Sequence, residues 1–116
     1  MDPGVGWDRS RRLVRSADHE RLRKTGRRWP GRHLVALAAP AELGCARVGW
    51  AISRKVGGAV QRNQVRRWLR ELMRHRYGAL PVLDLVFIAR PGAATAGLDG
   101  LAREVDGLLF ALGRAA

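Results

Sequence analysis

Ala59-Val-Gln-Arg-Asn-Gln-Val-Arg-Arg-Trp-Leu-Arg-Glu-Leu-Met-Arg-His-Arg76 is the stretch on which the rest of the chain can be hung. Wound as a helix at about 100° per residue, it divides into two faces. Val65, Trp68, Leu69, Leu72 and Met73 share an apolar arc about 140° wide, which needs a core to pack against. Arg62, Asn63, Arg66, Arg67, Arg70 and Arg74 share a second arc of about the same width. Like charges four residues apart cost an isolated helix a few tenths of a kcal/mol per pair, and only Glu71 offers local relief. The basic row therefore adds nothing to stability, and a polyanionic partner is the economical reason for it. A merely solvated face mixes both signs. Guanidinium forks suit phosphate, giving paired, charge-assisted hydrogen bonds. Asn63 can donate to a phosphate and still accept from a base edge or a 2′-hydroxyl.

Outward from this helix the pattern is mixed. Gly57-Gly58 precedes it and Gly78-Ala79-Leu80-Pro81 breaks it. Arg47–Ser53 alternates, with Val48, Trp50 and Ile52 on one side, and predicts a half-buried strand. Arg32–Ala39 predicts another, close enough in sequence for the two to pair as an antiparallel hairpin. Val82–Ala89 is nearly all apolar and predicts a strand covered on both faces. If it lies parallel to Arg47–Ser53, the helix between them is a crossover connection. A short helix is expected over Ala17–Thr25, capped by Ser16 and closed by Gly26. Trp29-Pro30 interrupts any helix there. A last helix carries Leu98, Leu101, Val105, Leu108, Leu109 and Leu112 on one stripe, with Gly100 and Gly107 expected at close contacts. Residues 1–12 read as a mobile basic arm and 13–116 as one domain.

Composition narrows the function. The chain has 116 residues, 22 Lys or Arg against 10 Asp or Glu, and a formal charge of +12. Residues 1–76 hold 19 basic and 6 acidic side chains; residues 77–116 hold three and four. Solubility alone would not sort charge this way, whereas a polyanion bound by the first two-thirds would. Hydrophobic residues make up 47%, too many for a disordered basic tail. The one cysteine, Cys45, excludes an intrachain disulfide and a cysteine-built zinc site. The apolar runs are less than half the ~20 residues of a membrane span, and Met1–Arg15 lacks the apolar core of a signal peptide. A cytoplasmic protein is expected.

Lys55-Val-Gly-Gly-Ala-Val-Gln-Arg-Asn-Gln-Val-Arg-Arg-Trp-Leu-Arg-Glu71 closely resembles the signature of the bacterial ribonuclease P protein subunit, Lys-x-Gly-Asn-Ala-Val-x-Arg-Asn-x-(Val/Ile)-(Lys/Arg)-Arg-x-(Leu/Ile)-Arg-Glu. Arg47-Val-Gly-Trp-Ala-Ile-Ser53 is similar to a strand of that family, Asp84-Leu-Val-Phe-Ile-Ala-Arg90 to its last strand, and the segment from Ser16-Ala-Asp18 to Gly26 to its first helix. The resemblance covers about Leu13 to Leu112. It implies an α+β sandwich of a four-stranded sheet with helices, in the order α-β-β-(β)-α-β-α. It also implies a left-handed βαβ crossover, against the usual right-handed rule. It further implies a protein that binds a catalytic RNA and the 5′ leader of precursor tRNA, with Mg²⁺-dependent hydrolysis on the RNA and no cofactor held tightly by the protein. The RNA-binding positions carried over are Arg54, Lys55, Arg62, Asn63, Arg66, Arg67 and Arg70, to which the spacing of the row adds Arg74. The family's leader cleft has aromatic residues where this chain has His19 and Arg23, and commonly one near Leu37. These three are the cleft candidates here, and leader binding is expected to lean on charge rather than on stacking. Gly58 stands where the family usually has Asn.

Other readings make different demands. A ribosomal or general RNA-binding module shares the charge but does not need the Lys55–Glu71 pattern. A protein-only nuclease would draw on His19, His33 and His75 for acid and base, but these are scattered among arginines, and no carboxylate cluster suggests a metal site. A major-groove DNA reader needs a second helix a short turn before Ala59, which the sequence lacks. The apolar arc, needed by the core, is not available for a membrane surface.

Overall fold

The computed structural model describes residues 9–115. The elements follow the order α1 (Ser16–Thr25), β1 (Arg27–Pro30), β2 (Leu34–Pro40), β3 (Arg47–Ala51), α2 (Ala59–Arg76), β4 (Leu83–Ala89) and α3 (Ala93–Ala115). This is a single α+β domain with a four-stranded mixed sheet of spatial order β1-β2-β4-β3. The first two pairings are antiparallel and β3 is parallel to β4, so α2 is the crossover between them.

The sheet departs from the expected hairpin. β2 and β3 are not neighbours, because β4 lies between them. β4 is the strand with apolar side chains on both faces, and only an interior position covers both. Phe87 and Leu85 point into one core and Val86 into the other. The hairpin partner of β2 is instead β1, a strand hidden in the sequence by Trp29-Pro30. Proline is tolerated because β1 is an edge.

Two cores flank the sheet. Beneath α2 and α3 lie Leu34, Val48, Val65, Leu69, Met73, Phe87, Leu101 and Val105, with Trp29, Trp50 and Trp68 packed at the margin. Beneath α1 lie Leu13, Leu22, Val35, Leu37, Ala39 and Val86. Each such side chain, fully buried, contributes about 1.5–3 kcal/mol.

Helix ends differ from expectation in physical detail. Ser16 is already inside α1, whose N-cap is Arg15 with no side-chain cap. Gly26 is extended rather than left-handed. It is glycine for space: a Cβ there would sit 2.5 Å from the Leu22 carbonyl oxygen and 3.1 Å from that of Ala38. α3 is broken at Gly97, where φ is 75° and ψ 169°, a conformation that favours glycine. Gly100 meets Ala96 closely, with 3.3 Å from its would-be Cβ, but Gly107 has nothing within 4 Å, so close packing does not account for it.

Of the arm expected over residues 1–12, residues 1–8 lie outside the described residues. Arg9–Arg11 form a single 3-10 turn, and Arg12 makes a parallel β-bridge with Val48. No helix among the described residues is long and apolar enough to cross a membrane.

Candidate nucleic-acid interface

The helix α2 is set by its ends and its buried stripe. Gly57, with φ 152°, turns the chain into it, and a Cβ there would press on Gln61 at 2.8 Å. Val65, Leu69, Leu72 and Met73 are buried, so rotation about the helix axis is not free. At the far end Arg76 donates to Asp106 of α3 at 2.6 and 3.2 Å. That pair holds the Asp106 carboxyl below its ordinary range and raises the Arg76 guanidinium, the hydrogen bond being the main cause in both.

On this fixed helix the basic row faces outward. Arg67 and Arg70 are exposed and have no acidic partner among the described residues. Arg66 is half-buried and donates to Asn63 Oδ1 at 2.6 Å, which orients both side chains and leaves the Asn63 amide N–H₂ to donate elsewhere. Arg62 is half-buried, and its buried Nε–H finds no hydrogen-bond partner among the described residues. Arg74 differs. It donates to both oxygens of Glu71 at 2.9 and 3.0 Å, and His75 lies 2.9 Å from the same carboxylate. These hydrogen bonds, Arg74 first and His75 second, depress the Glu71 carboxyl. Arg74 thus differs from Arg67 and Arg70 in having an acid beside it on the helix surface. Arg54 and Lys55 sit exposed in a 3-10 turn between β3 and α2, where Ser53 Oγ accepts from the Lys55 backbone N–H at 3.3 Å.

A groove of about 330 Å³ runs along the edge of this row. Its walls are His19 of α1, Trp50 and Ile52 at β3, Arg66 and Arg70 of α2, and residues 12–14. The ring of His19 is held in place: its Nε2–H donates to the Leu13 carbonyl at 2.7 Å, which sets the tautomer of the neutral ring.

Of the three cleft candidates, this groove includes His19 alone. Leu37 is 4% exposed, part of the small core beneath α1, and presents no surface to a ligand. Arg23 is exposed on α1, 3.9 Å from Glu20, and does not line the groove. Conversely, Trp50 and Arg12 line it and were not among the candidates. The alternation of Val48, Trp50 and Ile52 carried a signal for the first, though it pointed to the core. Nothing local in the sequence marks Arg12.

The histidines do not assemble. His33 is 3.1 Å from Glu104, whose carboxylate also accepts from the backbone N–H groups of His33 and Leu34 at 2.8 and 2.6 Å. It is thereby tied to the start of β2, away from His19 and from His75, which is bound to Glu71. Among the described residues no three His, Cys, Asp or Glu side chains are grouped to hold a metal ion.

Comparisons with known proteins agree with this geometry. The family model described as Ribonuclease P matches residues 7–113. The ribonuclease P protein component of Dehalococcoides mccartyi is 42% identical over 100 residues, covering 86% of this chain and 82% of that one. The corresponding protein of Herpetosiphon aurantiacus is 37% identical over 102 residues, covering 87% and 83%. Among solved structures, the RNase P protein of Staphylococcus aureus superposes with a TM-score of 0.82 at 26% identity, covering 88% of this chain and 94% of that one. That of Thermotoga maritima superposes with a TM-score of 0.76 at 27% identity, covering 84% and 94%.

Proposed function

The chain belongs to the ribonuclease P protein family, and from that premise we propose that it binds a catalytic RNA and assists removal of the 5′ leader from precursor tRNA. Members of this family are protein components of the endoribonuclease that processes tRNA. In this reading hydrolysis takes place on the RNA, which holds the Mg²⁺ ions, and the protein acts in the cytoplasm by screening charge and positioning substrate. The observation that carries it is the row Arg62, Arg66, Arg67 and Arg70 on a helix whose opposite face is locked into the core. Such a row offers guanidinium forks to a folded polyanion from a helix whose orientation is already fixed. Six to eight neutralised phosphates would make log K fall with log salt at about 0.7–0.9 per contact. The groove beside the row supplies a second element, a place for single-stranded leader against Trp50 and His19.

The deciding experiment is cleavage of precursor tRNA at low Mg²⁺ with the protein alone, with a catalytic RNA alone, and with both. Cleavage that needs both, or is strongly raised by both, supports the proposal. Cleavage by the protein alone would make it a nuclease in its own right. RNA binding with no effect on cleavage would leave a general RNA-binding module. Replacing Arg62, Arg66 and Arg67 together by Ala is expected to weaken binding of the catalytic RNA while leaving the fold intact; unchanged affinity at moderate salt would remove these residues from the interface.

A further inference from the structure

The β1 edge of the sheet carries charge that neither α2 nor the groove uses. Arg27 and Arg28 lie on this edge strand and Arg32 in the turn that follows it, all three exposed. The side chains of Arg28 and Arg32 have no hydrogen-bond or ion-pair partner among the described residues. The acids placed near them are engaged. Glu104, whose carboxylate lies against Gly31, accepts from the backbone N–H groups of His33 and Leu34. Glu20 stands 3.9 Å from Arg23 and 3.5 Å from Lys24 on α1. β1 and β3 are opposite edges of the sheet, three strand spacings or about 14 Å apart. The β1 charge is therefore a surface separate from the groove at β3.

Beside this charge lies a cavity of about 180 Å³, walled mostly by apolar groups: Trp29 of β1, Ala38 and Pro40 of β2, Leu83 of β4 and Leu112 of α3, together with Arg27. Arg27 and Trp29, two residues apart on one strand, share a side of it. The Arg27 guanidinium lies 5.0 Å from the centre of the Trp29 ring. A cavity of about 150 Å³ accepts a benzene ring, so this one has room for a single planar ring. Addition of a further strand suits this edge poorly, because Pro30 has no N–H to give. What the edge offers is an aromatic-walled slot bordered by guanidiniums, and that combination takes an unstacked base with its phosphates.

We propose that the β1 edge binds an unpaired nucleotide of the catalytic RNA. Its base enters the cavity against Trp29 and Arg27, and Arg28 and Arg32 hold the phosphates on either side of it. The proposal rests on the reading of this chain as the partner of a catalytic RNA; it adds a second anchor, remote from α2 and from the leader groove. The occupant is the catalytic RNA rather than the precursor because this site has no means of sensing a leader. It would hold matured tRNA as firmly as precursor, and uniform binding of that kind does not speed the chemical step. A resident RNA gains affinity from a second anchor without that drawback.

The test titrates the full chain onto its catalytic RNA and reads both affinity and the reactivity of unpaired RNA bases toward a base-modifying reagent. Arg28→Ala with Arg32→Ala should lose about tenfold in affinity and about 0.7 in salt slope for each arginine. The melting temperature should not move, because both side chains are exposed and unpartnered among the described residues. Trp29→Leu should lose about tenfold in affinity. At saturating protein it should also expose a base that wild type protects and that Arg67→Ala with Arg70→Ala leaves protected. Should Trp29→Leu fail to fold, Arg27→Ala, at an exposed residue, should expose the same base. Affinity lost with no base changing its reactivity, or no loss at all, overturns the site. A loss seen instead for precursor tRNA without the catalytic RNA also overturns it, since the surface would then belong to the substrate. These outcomes count against the site alone, provided wild type raises cleavage in the same preparation. A wild-type chain that fails to raise it overturns the functional reading, and the site with it.

Discussion

Two sets of arginines in this molecule use the same side chain to opposite ends. At the α1 edge of the sheet, Arg21 and Arg47 close on Asp84, which is 0% exposed. Arg47 donates to it at 3.1 and 2.9 Å, and that hydrogen bond raises the Arg47 guanidinium above its ordinary range despite burial. On α2, Arg67 and Arg70 stand exposed with no acid beside them among the described residues. The first set spends its charge inside the protein, pinning α1 to β3 and β4. The second keeps its charge for a partner, at some cost in self-repulsion. What distinguishes them is where the acids are: Asp84, Asp18 and Glu42 converge on one set from three separate elements, while Glu71 serves only Arg74 and His75 on the other.

The contrast can be broken most forcefully at Asp84. Asp84→Ala leaves the largely buried Arg47 without its main counter-charge and should cost about 3–5 kcal/mol in denaturant unfolding, since removing one member of a buried pair strands the other. Loss of less than about 1 kcal/mol would show that the set is not structural. The mirror experiment is Arg67→Ala with Arg70→Ala. Stability should hold within about 0.5 kcal/mol, while affinity for the catalytic RNA drops about tenfold per lost phosphate contact and the salt slope shrinks by about 0.7–0.9 each. A fall in melting temperature without a change in affinity would reverse the assignment.

A smaller effect sharpens the anchoring of α2. The Asp106 carboxyl is depressed in the folded state by Arg76, so the pair's contribution is present above the unfolded value near 3.8 and is lost as pH falls through the folded one. Asp106 is mostly exposed, and the gain stays under about 1 kcal/mol. The stability difference between wild type and Asp106→Asn should be flat above pH ~5 and vanish in acid. A difference that grows in acid would contradict the pairing. The smallest expected change is at Gly58, the N-cap of α2, which has no side-chain cap. A Cβ there meets only the tip of the Gln61 side chain, at 3.2 Å. Gly58→Asn should therefore add a cap and a few tenths of a kcal/mol, visible as a slightly higher melting temperature with RNA affinity unchanged.

Much of this was legible in the chain of residues because it is local. The period of apolar positions from Val65 to Met73 announces which side of α2 is inside, and the opposite row then has nowhere to face but outward. The apolar run Leu83–Ala89 announces an interior strand. Strand neighbours are another matter. Nothing between Pro40 and Arg47 says that β4 will enter between β2 and β3, because sheet order is decided by which faces the helices can cover together. For the same reason Leu37, a cleft candidate by its place in the sequence, proved to be core once α1 lay over it, and Arg12, with no local mark, became a wall of the groove once the Leu13 backbone met Gly49. Periodicity and charge along a helix depend on neighbours three or four residues apart, so the sequence by itself determined the basic helix and its buried side. The groove depends on contacts between residues 12–14, α1, β3 and α2, most of them distant in sequence, and only the tertiary structure could decide which side chains share it.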